Sequence, residues 1–201
     1  MKKLNLGAIP TIRKTGAEPF VLAGRPVDAN LLGFWQWCAS ELVGNALRGV
    51  LAEYIVATAV GASGGVRNQW DAYDIETADG IKVEVKSAAF LQSWWQAKLS
   101  SIQFSVGPAY GWDSESNSRS TSKNRPADVY VFCVLAHQDK RTVNPVNLDQ
   151  WVFYCINTAA IDKKLAAQKT LSLSSLRRLG PVEVGYAGLA QAIKQVAHGG
   201  S

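Results

Sequence analysis

The chain has 201 residues, 47% of them hydrophobic, with 21 Lys and Arg against 16 Asp and Glu and a formal charge of +5. That length and apolar content suit one domain with a sizeable core, and the positive surplus favours polyanionic partners through counterion release at phosphates. With only two histidines, His137 and His198, and three cysteines without paired spacing, Cys38, Cys133 and Cys155, a Cys/His zinc site or a Ser-His-Asp triad has almost no material.

Gly7, Pro10, Gly16, Pro19, Gly24 and Pro26 punctuate the start of the chain too densely for long regular elements, which predicts an irregular N-terminal arm over 1–33 and a single domain over 34–201. Met1-Lys2-Lys3 is followed by no apolar run of signal-peptide length, so a cytoplasmic location is expected. A membrane helix needs ~20 apolar residues, and Glu41, Arg48 and Glu53 interrupt the best candidate. The three cysteines lie in apolar stretches and read as reduced core thiols.

Residues 40–60 read as one helix, capped by Ser40, with Val43, Leu47, Val50 and Tyr54 at helical spacing and Gly61 as a stop. Gly61-Ala62-Ser63-Gly64-Gly65 lacks the lysine and the preceding strand of a phosphate loop. Residues 74–77 and 81–87 alternate around Ala78-Asp79-Gly80, a hairpin signature. The Ser-, Asn- and Gly-rich stretch 107–126 predicts a mobile loop, whose Arg119, Lys123 and Arg125 are candidate nucleic-acid contacts. Stretches 128–136 and 150–156 read as strands, and 159–168 and 188–197 as helices. The order predicts an α/β or α+β domain with a mixed sheet.

The chemistry concentrates in Ile81-Lys82-Val83-Glu84-Val85-Lys86, where alternation sends the apolar side chains to one face and Lys82, Glu84 and Lys86 to the other. A two-residue turn would set Ile75 opposite Glu84 and waste that alternation. A three-residue loop with Gly80 in the left-handed region instead sets Glu76 opposite Lys82 and Asp74 opposite Glu84. Like charges across a ladder are destabilising, and a bound cation relieves the conflict. Hard oxygen ligands with open positions suit Mg²⁺ or Mn²⁺.

Tyr73-Asp74-Ile75, a hairpin, then Glu84-Val85-Lys86 resembles the signature of the PD-(D/E)xK, or restriction-endonuclease-like, nucleases, with Tyr73 where a proline often precedes the aspartate. The resemblance implies an α/β fold with a mixed central sheet flanked by helices. It also implies a metal-dependent endonuclease acting on DNA, with RNA as the open alternative. Asp74 and Glu84 would hold the metal, the Val85 carbonyl would add a ligand, and Lys86 would position the water or stabilise the phosphate.

The same likeness extends to Glu53 on the preceding helix, where it falls among Ala46, Gly49, Ala57 and Val60 and away from Arg48. It extends also to Gln92 and Gln96, with Trp94 and Trp95, as a helix following the motif. Asp71 competes with Asp74 as ligand or assists it. Rival readings are a catalytically inactive nucleic-acid-binding module of the same fold, and an interaction protein or homodimer anchored by Phe34, Trp35 and Trp37.

Overall fold

A computed structural model describes residues 7, 9–68, 71–113, 118–165 and 168–199, the side chains of 111–113 and 119 excepted. Within the stretch 1–33 expected to be irregular, β1 (Pro19–Leu22) and β2 (Arg25–Asn30) form a ribbon, whose tight turn puts Ala23 and Gly24 at φ 49° and 77°. A two-residue turn needs both positions left-handed, and Ala-Gly is a weak sequence signal for one. Asn30 then caps α1 (Leu31–Ala39), its side chain accepting a hydrogen bond from the Gly33 amide at 2.9 Å. No residue of the ribbon or of α1 is buried.

The helix expected over 40–60 is present as one helix but starts only at Asn45, and Ser40 does not cap it. Ser40 ends α1, and α2 (Asn45–Ala59) begins after a turn in which the Gly44 amide donates to Glu41 at 2.7 Å. The buried face is also different: Arg48, Ala52, Ile55 and Val56 face the sheet, whereas Val50 and Tyr54 are exposed. Arg48 disguises that stripe in the sequence. Its guanidinium is satisfied under the helix by the Val43 carbonyl (2.7 Å), Asn45 Oδ1 (2.6 Å) and Ser87 Oγ (3.3 Å), so a charged residue sits where apolar spacing is sought. Gly61, at φ 72°, stops α2 as expected.

Next come β3 (Ile75–Glu76), β4 (Lys82–Ala89), β5 (Gln103–Ser105), β6 (Ala109–Asp113), β7 (Ser118–Asn124) and β8 (Val129–Leu135). A short 3-10 turn leads into β9 (Trp151–Asn157), followed by α3 (Thr158–Leu165), β10 (Thr170–Ser172), α4 (Leu173–Arg178), β11 (Val182–Val184) and α5 (Tyr186–His198). The central sheet runs β11-β9-β8-β4-β3 and is mixed: β4 and β8 are parallel and the other neighbours antiparallel. Every residue of β8 is buried, which fits the middle strand of a sheet covered on both faces.

The alternation of the strands feeds two cores. Val83, Val85, Val131, Cys133 and Phe153 meet Ile55 and Val56 of α2 and Leu189 and Ile193 of α5. On the other face Phe132, Val134, Tyr154 and Ile156 meet Ile161 of α3, Leu176 of α4 and the β5–β10 pair through Phe104 and Leu171. Cys133 and Cys155 are buried free thiols, as expected, but Cys38 is exposed because α1 buries nothing. Among the described residues no helix is long and apolar enough to cross a membrane.

Two further expectations change. Within the stretch 107–126 expected to be a mobile loop, the described residues Ala109–Asp113 and Ser118–Asn124 form the antiparallel pair β6–β7, held by backbone bonding that a polar sequence does not advertise. The helix expected around Gln92 and Gln96 is a segment without helix, because its side chains do the bonding. The Gln92 amide donates to Gln96 Oε1 at 2.7 Å, and Gln96 Nε2 donates to the Phe90 carbonyl at 3.2 Å.

Candidate active site

The β3–β4 hairpin carries the site, and its turn is the three-residue loop. Thr77 and Ile81 bond through their backbones, Gly80 stands at φ 80°, and the register pairs Glu76 with Lys82 and Ile75 with Val83. Thr77 locks the turn, accepting from the Ile81 amide at 3.0 Å and donating to Asp79 at 2.7 Å. One step further along, the same register sets Asp74 across from Glu84. There Asp74 leaves the ladder: its amide donates to the Val83 carbonyl at 3.1 Å, and its carboxylate accepts from the Val85 amide at 2.7 Å. Since strand residues two apart aim their carbonyls the same way, the Val85 carbonyl points to this open edge beside Asp74.

Lys82, Glu84 and Lys86 are half-buried and alternate with buried Val83 and Val85. Glu84 and Lys86 pair at 2.5 Å. On their inner side, β8 sets Tyr130 next to Glu84 and Phe132 next to Lys86, so the pair has an aromatic wall at its back and the sheet edge in front.

α2 brings Glu53 to the same place. Glu53 and Asp74 line a cleft of about 320 Å³ together with Arg13, Arg67, Asn68 and Asp71. Glu53 is held by both oxygens: Arg67 Nη2 donates to Oε1 at 2.9 Å and Arg67 Nε donates to Oε2. Arg13 is spent on the Ser63 and Gly64 carbonyls, at 3.3 and 2.7 Å. Asp71 is exposed and accepts from Asn68 at 2.6 Å, so of the two competing aspartates it is Asp74 that contacts β4.

The electrostatics single out Asp74. Burial, then the neighbouring Glu84 charge, push its carboxyl from the usual 3.8 up to about 7, although the Val85 amide favours the charged form. A carboxylate held near neutrality beside a second carboxylate is a group poised to exchange its proton for a cation. Among the described residues no three His, Cys, Asp or Glu side chains form a ready-made metal cage; Glu53 is turned to Arg67 and Glu84 to Lys86.

The structure gathers Glu53, Asp74, Glu84, Val85 and Lys86 at this edge and leaves other candidates elsewhere. Gln92 and Gln96 knit the segment after β4. Arg125 is a buried brace, not a free cation: its side chain is 2% exposed, pairs with Asp162 and donates to the Val106 carbonyl at 2.7 Å. Lys123, exposed on β7, stands 5.2 Å over the Tyr110 ring, and the Arg119 side chain lies outside the described residues. Nothing in the sequence singles out Arg67, because only folding brings it to Glu53.

A family model described as bacteriophage T4 endonuclease IV matches residues 36–175, well over half of the chain. The chain belongs to the bacteriophage T4 endonuclease IV family. That span contains Glu53, Arg67, Asp74, Glu84 and Lys86 and the central strands β4, β8 and β9, whereas Arg13 of the cleft lies before it. No curated protein matches this chain.

Proposed function

We propose that this protein is a metal-dependent DNA endonuclease of the PD-(D/E)xK, restriction-endonuclease-like type, hydrolysing phosphodiester bonds at the edge of β4. Its membership of an endonuclease family supplies the class of reaction. The observation that carries the rest is the pairing of a half-buried Asp74, pushed up to about 7, with Glu84 and Lys86 on one open strand edge.

The donor set fits Mg²⁺ or Mn²⁺. It consists of hard oxygens, two carboxylates and the Val85 carbonyl, and the conflict between the carboxylates is one that a cation relieves. Asp74 and Glu84 would hold the ion, with Glu53 above them. When bound, it supplies Lewis-acid polarisation of the phosphate and a more acidic water.

The chain's own groups do the rest. Lys86, once Glu84 no longer engages it, presents an ammonium to the attacking water or to the charge growing on the phosphate. Hydrolysis forms one bond from water oxygen to phosphorus and breaks one P–O ester bond, leaving a phosphomonoester and a hydroxyl. The aromatic wall of Tyr130 and Phe132 restricts water behind the reacting groups.

The test is cleavage of labelled duplex DNA, single-stranded DNA and RNA by wild type and Glu84→Gln, with Mg²⁺, with Mn²⁺ and in EDTA. DNA cleavage that needs the metal and is lost in Glu84→Gln is expected. Full activity in EDTA would overturn the metal-dependent reading, and binding without cleavage under any metal would make the protein an inactive module of the same fold.

A further inference from the structure

We propose that Arg67 is a phosphate-contacting residue which Glu53 holds in reserve until the site is charged. The inference rests on the reading above, but its core, an arginine exchanged between a carboxylate and a phosphate, is testable without turnover.

The geometry has three parts. First, Arg67 grips both oxygens of Glu53, the planar two-pronged arrangement that a guanidinium makes equally well with a phosphate. Second, the two partners are not equally placed: the Glu53 side chain is 15% exposed, inside the cleft, while that of Arg67 is 39% exposed, on its rim. If Glu53 turns toward a cation, Arg67 is therefore left facing incoming substrate. Third, the other guanidinium of the cleft, Arg13, is tied to two backbone carbonyls. Four carboxylates line this cleft, those of Glu53, Asp71, Asp74 and Glu76, so a polyanion meets repulsion there until a cation enters and a guanidinium is freed.

A divalent ion drawing on Glu53 competes with Arg67 for the same oxygens. Metal entry and release of Arg67 are then one event. The site's affinity for a phosphate rises only when it is able to hydrolyse one, which couples substrate engagement to readiness. A plain structural role, in which Arg67 ties the 61–68 segment to α2, makes the opposite forecasts.

Three variants separate the two: Arg67→Ala, Glu53→Gln, and both together. The probe is a short labelled DNA duplex and its single strand, titrated without metal across a range of salt, with Mn²⁺ affinity measured calorimetrically on the DNA-free proteins. In Glu53→Gln the freed guanidinium should tighten metal-free DNA binding several-fold and raise the slope of log affinity against log salt by about 1, and the double variant should lose that gain. Arg67→Ala should bind Mn²⁺ as well as wild type or better, because Glu53 is released, yet cleave roughly tenfold more slowly or worse in Mn²⁺.

Unchanged or weaker metal-free binding by Glu53→Gln overturns the proposal. So does an Arg67→Ala protein that loses Mn²⁺ affinity, thermal stability and cleavage together, which marks a brace. If Arg67→Ala fails to fold, the comparison of Glu53→Gln with wild type still decides. If wild type cleaves nothing under any metal, the functional reading fails, while the metal-free binding data still report whether Arg67 contacts phosphate.

Discussion

Replacing Asp74 by asparagine should make the metal-free protein more stable at alkaline pH. The amide side chain of Asp74→Asn keeps an oxygen to accept from the Val85 amide, but it removes a charge that burial and Glu84 both oppose. Between its unfolded value near 3.8 and its folded value of about 7, Asp74 is ionised in the unfolded chain and protonated in the fold. Wild-type stability therefore falls as pH rises through that window and levels off above it. The rise from 3.8 to about 7, at about 1.4 kcal/mol per pH unit, corresponds to about 4 kcal/mol above pH 7.

The assay is denaturant unfolding of wild type and Asp74→Asn in EDTA at about pH 5 and about pH 8.5, repeated with Mn²⁺. The advantage of the variant should grow by about 3 kcal/mol from the lower to the higher pH. Mn²⁺ should restore wild type and leave the variant unmoved, since binding the folded state stabilises it. An advantage equal at both pH values would refute the reasoning, because Asp74 would then not be carrying a proton in the fold.

Lys86→Ala should abolish single-turnover cleavage while DNA still binds, and Lys86→Arg should rescue poorly because a planar fork does not replace a compact ammonium. Near wild-type rates in Lys86→Ala would remove Lys86 from the reaction. Arg125→Ala should cost about 1–3 kcal/mol in denaturant unfolding, because the Val106 carbonyl loses its buried donor while half-exposed Asp162 is left to solvent, with the salt slope of DNA binding unchanged. Gly80→Val should destabilise by about 1–2 kcal/mol through its φ of 80° and disturb the register that sets Asp74 by Glu84, so cleavage should fall more than stability accounts for.

The hairpin was legible because everything that shapes it is local. Alternation over 81–87, a glycine three residues past Thr77 and the need to keep charges off the apolar face together imply the register that the backbone adopts, and with it Asp74 beside Glu84. Strands β8 and β9 were legible for the same reason, since residues buried on both faces read as continuous apolar runs.

What tertiary structure alone decided is the fate of the long cations, because a charged side chain carries no local mark of its partner. Arg48, Arg67 and Arg125 look alike in sequence. One lies buried beneath α2 against carbonyl, amide and hydroxyl oxygens, one grips Glu53 across a cleft, and one pairs with Asp162, 37 residues away. Each outcome depends on which segments the two cores bring together, and that packing also set Glu53 and Asp74 on one cleft.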